Sequence, residues 1–220
     1  MKNNEKTELE PRVLIISNNP FSKTDNNGKT LASFFKSFNA DNIAQLYFKS
    51  EKPTEDFFKN YFQVSDISML KSIFNRKIKS GVCVNANRIK TSNKNSNESI
   101  FISSLKRIII KSNVIRLIRE LIWRVGSWES EELINWIDGV SPEIVFFCAG
   151  DSEFPYRITN RLAERFKSKL VIYITDDYIL PRKTLNAFWG IRRNRVLNNI
   201  KSILEISDLF FTVSKKMSDV

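Results

Sequence analysis

Five short runs of aliphatic and aromatic residues punctuate the chain, and each is bounded by turn-forming or polar residues. Runs of this kind are typical of strands that are buried on both faces of a parallel sheet. The segments between them repeat apolar residues at i, i+3, i+4 and i+7, as helices that pack one face on a core do. The pattern predicts strands over residues 12–17, 43–48, 143–148, 170–174 and 209–213, and helices over 29–38, 129–138, 156–166 and 187–206.

The alternation of strands and helices predicts the fold class. The first strand, helix and second strand form a βαβ unit, whose crossover is right-handed in nearly all proteins. A chain of 220 residues has the length of one domain. We therefore predict a single α/β domain over residues 1–220, with a Rossmann-like parallel sheet and helices on both faces.

Residues from about 65 to 126 interrupt this alternation and are interpreted as a basic helical insertion. Residues 54–76 carry aromatic and aliphatic residues at helical spacing, which predicts two short helices. Residues 77–97 are mainly polar and predict a mobile surface loop. Residues 114–124 predict an amphipathic helix whose apolar residues lie opposite Arg116, Arg119, Glu120 and Arg124.

The net charge of +11 comes from the same part of the chain. Thirteen basic residues and two acidic ones lie between Lys71 and Arg124, and the remaining charges balance. Three explanations stay open: the apolar face of residues 114–122 packs on the sheet and leaves the cations in solvent, residues 71–124 contact an anionic membrane surface, or they bind nucleic acid. Nucleic acid is the least favoured, because Ile, Leu and Val separate the cations where base-stacking aromatics would be expected.

The absence of histidine excludes several kinds of enzyme. Ser-His-Asp hydrolysis, Cys-His proteolysis and His-ligated zinc are impossible on this chain alone. Cys83 and Cys148 form no Cys-x-x-Cys pair, so we interpret them as reduced structural thiols. We predict no metal site and no cofactor. The sequence has no apolar run long enough for a membrane span and no signal-peptide pattern, which predicts a cytoplasmic protein, peripheral at most on the inner face of the membrane.

Polar residues before the first helix form the first part of the candidate site. In an open parallel sheet the ligand crevice lies at the carboxyl ends of the strands. Asn27, Gly28 and Lys29 follow the first strand and precede the helix, where main-chain N–H groups and the helix dipole favour an anion. The segment is not a P-loop, because Lys23 stands where that motif needs its first glycine. The alternative is a helix-capping turn that binds no ligand.

Polar residues after two later strands complete the candidate site. Asp151 and Ser152 follow one strand, and Asp176, Asp177 and Tyr178 follow the next. Adjacent carboxylates repel each other and raise at least one pKa, so Asp176 and Asp177 suit a proton acceptor or a partner for a sugar hydroxyl. The alternative is that one of these two caps the next helix and the other faces solvent.

The order of several segments carries a family resemblance. The segments are residues 11–20 (PRVLIISNNP), the Asn-Gly pair at 27–28, residues 142–147 (PEIVFF), residues 171–177 (VIYITDD) and residues 208–217 (DLFFTVSKKM). In this order they resemble the N-terminal half of a GT-B glycosyltransferase of the family 4 type. The resemblance covers about residues 11–60 and 129–218.

The resemblance implies the acceptor-side half of an enzyme that transfers a sugar from a nucleotide sugar to a glycan or lipid-linked acceptor in cell-surface polysaccharide assembly. The nucleotide sugar would be a substrate. The C-terminal donor-binding domain of such enzymes is absent from these 220 residues, so we expect this chain alone to be inactive. The competing hypothesis is a non-catalytic α/β module that binds an anionic membrane or nucleic acid through residues 71–124.

The resemblance also implies roles for the candidate residues. Asn27, Gly28 and Lys29 would face the donor diphosphate. Asp151, Ser152 and Tyr178 would line the acceptor side of the cleft, and Asp176 and Asp177 are the candidate catalytic carboxylates.

Overall fold

The computed structural model describes residues 10–75, 80–85, 113–175 and 187–213. Its strands are β1 (Val13–Ser17), β2 (Ile43–Tyr47), β3 (Asn60–Gln63), β4 (Val82–Asn85), β5 (Ile144–Ala149), β6 (Lys169–Ile174) and β7 (Leu209–Thr212). Its helices are α1 (Asn26–Phe35), α2 (Asp66–Phe74), α3 (Asn113–Val125), α4 (Glu131–Val140), α5 (Phe154–Phe166) and α6 (Ala187–Glu205), with a short 3-10 helix at Ala40–Asn42.

The seven strands form one mostly parallel sheet in the order β4-β3-β2-β1-β5-β6-β7. All neighbours run parallel except β3 and β4, which are antiparallel. The five strands predicted from the sequence are present in this sheet, so the predicted Rossmann-like α/β fold is confirmed. The predicted burial is wrong for β7, because it is an edge strand of the sheet and its Leu209, Phe210 and Phe211 are 45–49% exposed.

Two apolar clusters cover the two faces of the sheet. In β1, Leu14 and Ile16 belong to one cluster, and Val13 and Ile15 belong to the other. Helix α1 covers the second face, whereas the remaining helices contribute buried side chains to the first. This two-sided burial explains why β1 is an uninterrupted apolar run, because a strand in the centre of a covered sheet has no solvent-facing side.

The prediction of two short helices over residues 54–76 is half wrong. The second helix is α2, but β3 stands where the first was predicted. Tyr61 and Phe62 are both fully buried and belong to opposite clusters. Only a strand points consecutive side chains to opposite faces, so burial of both rings requires β structure.

The prediction of a surface loop over residues 77–97 is wrong for residues 82–85, which form β4. Residues 82–85 pair antiparallel with β3, and Cys83 lies opposite Phe62. The pairing satisfies the outer hydrogen-bonding edge of β3, which would otherwise be an open sheet edge. Residues 77–79 and 86–97 of that prediction lie outside the described part of the chain.

Helix α3 is amphipathic as predicted, but only part of its apolar face packs on the domain. Arg116 and Arg119 are partly buried against the domain, whereas Ile118 and Leu121 are 50% and 58% exposed. The explanation in which the apolar face packs on the sheet and the cations face solvent holds only in part, because Ile122 packs against the core and Arg124 is exposed, whereas Ile118 and Leu121 face outward. The inner side of α3 combines the fully buried Trp123 with Arg116 and Arg119, which supply partners for carboxylates on neighbouring elements. Among the described helices, none is both long enough and apolar enough to span a membrane.

Candidate functional site

A cavity of about 230 Å³ opens at the carboxyl ends of β1 and β5. The strand order changes direction between these two strands, since β2, β3 and β4 lie on one side and β6 and β7 on the other. Such a switch point is where open α/β sheets bind ligands. The lining residues come from the loops after both strands, the first turns of α1 and α5, and the end of β6: Ser17, Asn18, Asn19, Asn27, Leu31, Cys148, Ala149, Gly150, Asp151, Ser152, Pro155 and Thr175.

Gln45 holds the loop after β1 in place, and sequence analysis missed it. Its side chain is fully buried, donates to Ser17 Oγ at 2.8 Å and accepts from the Phe21 N–H at 2.9 Å. It also donates to the carbonyl of Asn19 at 3.2 Å. The signal was present, because Gln45 is the one polar residue inside the apolar run of β2, and a buried amide needs partners.

The first turn of α1 brings Asn27 to the cavity. Asp25 caps the helix by accepting from the Asn27 N–H at 3.3 Å. The Asp25 carboxylate also accepts from Asn19 Nδ2 at 3.1 Å and lies 3.3 Å from the Lys49 ammonium. These contacts join the loop after β1 to the start of α1, so the helix N-terminus is fixed beside the cavity.

Gly28 and Lys29 lie next to Asn27 but do not line the cavity. A Cβ atom on Gly28 would be 2.4 Å from the carbonyl oxygen of Pro20 and 2.9 Å from Ser22 Cβ, so Gly28 permits close contact between α1 and the preceding loop. Lys29 is exposed, and its N–H donates to the Asp25 carbonyl at 2.8 Å. Of the three residues predicted to face the donor diphosphate, only Asn27 reaches the cavity.

Asp151 and Ser152 both line the cavity, and their role on the acceptor side stays a prediction. Arg116 and Arg192 both donate to Asp151 Oδ2, and Arg192 also donates to the Asp151 carbonyl at 2.7 Å. Burial alone would raise the pKa of Asp151, but the two guanidinium groups outweigh it and hold that pKa below its usual value. Asp151 is therefore an ionised anchor for two cations at neutral pH.

Ser152 belongs to a second polar cluster between α2, α3 and α5. Arg119 donates to Ser152 Oγ at 3.0 Å and to both Asp66 oxygens at 2.8 and 3.0 Å. Asp66 also accepts from Trp123 Nε1 at 2.6 Å, and the Trp123 ring stacks on Phe154 at 3.9 Å. The cluster fixes α3 against the cavity wall and sets the direction of the Ser152 hydroxyl.

Glu120 closes this cluster at the start of α5. Its carboxylate accepts from the N–H groups of Glu153 and Phe154 at 2.8 and 3.0 Å. Glu153 itself makes no capping hydrogen bond with its side chain. Burial raises the pKa of Glu120, and the nearby Glu153 carboxylate adds to that effect. Glu120 thus serves as the N-terminal cap of α5, supplied by another helix.

Asp176, Asp177 and Tyr178 lie outside the described residues, so their predicted roles stay predictions. Thr175, the residue before them, lines the cavity together with Asp151. Within the described segments, no group of three or more acidic, cysteine or histidine side chains is placed to hold a metal ion.

The cavity wall is suited to a small polar ligand. It offers amides from Asn18, Asn19 and Asn27 and hydroxyls from Ser152 and Thr175, with Leu31 and Pro155 as apolar contacts. Its carboxylate, Asp151, is neutralised by two arginines. This combination suits hydrogen bonding to a neutral polyhydroxyl group better than the binding of a free cation. No protein-family model matches the chain, and no curated protein matches it.

Proposed function

We propose that this chain is the acceptor-side domain of a GT-B type glycosyltransferase and that the cavity between β1 and β5 binds a sugar unit. The observation that carries the proposal is the position and lining of that cavity. It lies at the switch point of a Rossmann-like sheet, and its polar lining consists of amides, hydroxyls and the Asp151 carboxylate, which is paired with two arginines. Acceptor transfer in glycan or polysaccharide assembly is the activity we propose for the complete enzyme.

The size of the cavity supports a single sugar unit rather than a whole nucleotide sugar. Its volume of about 230 Å³ falls below the range of about 300–1,000 Å³ that is usual for drug-sized ligands. A nucleotide sugar would extend beyond it toward the N-terminus of α1. We propose that Lys29, exposed on that helix, contacts the donor diphosphate, and that Asp176 and Asp177 act as the catalytic carboxylates.

Nucleic-acid binding through Arg116 and Arg119, two of the described cations within residues 71–124, has less support. Arg116 and Arg119 pair with Asp151 and Asp66 on the inner side of α3. Guanidinium groups engaged in this way are not presented to an external phosphate backbone, which is the main source of affinity for nucleic acid.

Saturation-transfer NMR with monosaccharides, sugar phosphates and UDP-sugars tests the proposed cavity. We expect transfer to at least one sugar and loss of that transfer in Gly150→Val. Gly150 lines the cavity and a Cβ there meets no atom within 4 Å, so a valine adds apolar bulk at the cavity wall without a clash. Gly139→Val is the matched control, because a Cβ there also meets nothing and Gly139 lies outside the cavity. Absence of transfer to every sugar, or equal transfer in Gly150→Val, would reject the proposal.

A further inference from the structure

Helices α2 and α3 both expose apolar side chains to solvent. In α2, Phe74 is 83% exposed, and Ile67 and Leu70 are also exposed. In α3, Leu121 and Val125 are 58% and 64% exposed, and Ile118 lies beside them on the helical wheel. We call these six side chains the α2–α3 apolar surface. Large exposed apolar patches on a folded domain mark interaction sites.

The two helices are neighbours, so their exposed side chains form one surface. Asp66 at the start of α2 contacts both Arg119 and Trp123 of α3. Farther along α2, a Cβ placed on Gly126 would be 2.6 Å from the Met69 side chain and 3.5 Å from Ile73. The polar contacts and the buried Met69 and Trp123 therefore lie between the helices and the domain, and the exposed apolar side chains are left on the outer side.

The charge at this surface is positive. Among the described residues of α2 and α3, the exposed cations are Lys71 and Arg124. Glu120 is turned toward the start of α5, and the Asp66 side chain, 46% exposed, is paired with Arg119. Apolar side chains flanked by exposed cations suit the boundary between lipid headgroups and acyl chains.

We propose that the α2–α3 apolar surface docks on an anionic lipid bilayer. The apolar side chains would enter the headgroup boundary, while Lys71 and Arg124 contact anionic headgroups. A second copy of the chain fits less well, because face-to-face pairing would bring the cations of both copies together. The docking rests on the exposed faces of the two helices and does not depend on the proposed transfer reaction.

Docking in this way would place the cavity close to the bilayer. Arg116 of α3 contacts Asp151 at the cavity wall. The same helix therefore contacts the cavity on its inner side and, under this proposal, lipid on its outer side. If the proposed function also holds, this arrangement favours a lipid-linked acceptor over a soluble one.

Vesicle co-sedimentation without any sugar tests the docking separately from the proposed function. We expect the chain to sediment with vesicles of phosphatidylcholine mixed with phosphatidylglycerol and to bind pure phosphatidylcholine vesicles much more weakly. Phe74→Ser and Leu121→Ser are each expected to weaken binding about tenfold or more, because each removes a large apolar side chain from the contact. Phe57→Ser is the matched control, since Phe57 is exposed beside Phe58 on the α1 face of the sheet.

Charge reversal provides the second arm of the test. Lys71→Glu and Arg124→Glu are each expected to weaken binding to the anionic vesicles about fivefold. Lys36→Glu, at the end of α1 on the other face, changes the net charge equally and is expected to have little effect. Arg116 and Arg119 are not suitable targets because they hold α3 to the domain.

Four outcomes would overturn the proposal. Equal binding to neutral and anionic vesicles would remove the role of the cations, and absence of binding would remove the docking itself. Equal effects of Phe74→Ser and Phe57→Ser would place the contact elsewhere. A dimer in sedimentation velocity that Phe74→Ser converts to a monomer, with no change in vesicle binding, would assign the surface to a second copy.

Discussion

Arg116 of α3 pairs with the carboxylate of Asp151, so the domain buries a cation of this helix on the same side as the apolar Trp123. Amphipathic helices of globular domains normally bury their apolar side. Arg116 points inward because the carboxylate of Asp151, which follows β5 at the cavity, requires a partner. The same contact determines which side chains of α3 remain outside.

Asp151→Asn is expected to lower the free energy of unfolding at neutral pH. The substitution leaves Arg116 and Arg192 without their counter-charge, and we expect a loss of about 1–2 kcal/mol, a value reduced by solvent screening of a partly exposed carboxylate. Chemical denaturation measures the change. Asp138→Asn, at an exposed carboxylate on α4, is the control and is expected to leave stability unchanged.

The effect of Asp151 depends on pH in a defined direction. Its pKa in the folded chain lies below the usual value, so the unfolded chain binds the proton more readily. The stabilisation is therefore complete above about pH 4–5 and is lost as the pH falls through the lowered pKa. The difference in stability between the wild type and Asp151→Asn is expected to shrink on acidification. A difference that stays constant down to acid unfolding would contradict the ion-pair role.

A double-mutant cycle between Arg119 and Asp66 is expected to show favourable coupling. The pair is partly buried and shares hydrogen bonds with Trp123 and Ser152, so we expect a coupling energy of about 1 kcal/mol or more. Lys23 and Asp56 form the comparison pair. They are joined by a more exposed ion pair on the other side of the molecule, and we expect their coupling to be smaller. Equal coupling energies in the two cycles would show that the contact between Arg119 and Asp66 stabilises α3 no more than an exposed ion pair would.

Gly28→Ala is expected to destabilise the fold by about 1–3 kcal/mol, because its Cβ would meet main-chain atoms that have no alternative position. The nearest atom would be the Pro20 carbonyl oxygen at 2.4 Å. Gly139→Ala is the matched control, since its Cβ meets nothing within 4 Å and alanine favours the helix by up to about 1 kcal/mol. Thermal denaturation of the two variants measures both. If Gly28→Ala were as stable as the wild type, the packing role assigned to Gly28 would be wrong.

The sequence predicted the central sheet well because the central strands are mainly apolar. Most side chains of β1, β2, β5 and β6 are buried, so composition identifies these strands. The edge was harder to predict. Tyr61 and Phe62 of β3 also fit a helical spacing in a short window, and Val82 and Cys83 of β4 lie in a mainly polar stretch. Their assignment to strands depends on pairing between neighbours that are distant in sequence.

The sequence predicted where the candidate site lies better than it predicted the side-chain contacts within it. The rule that ligands bind at the carboxyl ends of strands predicted that Asn27, Asp151 and Ser152 would lie together. All three line one cavity. It did not predict that Gly28 serves packing or that Arg192 reaches Asp151 from α6. Side-chain partners such as these depend on how helices sit on the sheet, which the spacing of apolar residues within one helix does not specify.

The two cysteines are expected to react at different rates and to report separately on the cavity. Cys83 on β4 is exposed, whereas Cys148 on β5 is half-buried and lines the cavity. Cys83 is expected to react first with a disulfide reagent. Although Cys83 is exposed, partial burial raises the pKa of its thiol. The labelling rate of Cys83 is therefore expected to keep increasing with pH above the usual pKa of a thiol, because the thiolate is the reactive form.

In Cys83→Ser, labelling then follows Cys148 alone. A sugar that occupies the cavity is expected to slow this labelling, because it covers the cavity wall in which the thiol lies. The same sugar is expected to leave labelling of Cys83 unchanged in Cys148→Ser, which serves as the matched control. Gly150→Val is expected to abolish the protection, since its side chain takes the place of the ligand. Protection of both thiols to the same extent would indicate a general stabilisation of the fold, and the cavity between β1 and β5 would no longer be identified as the binding site.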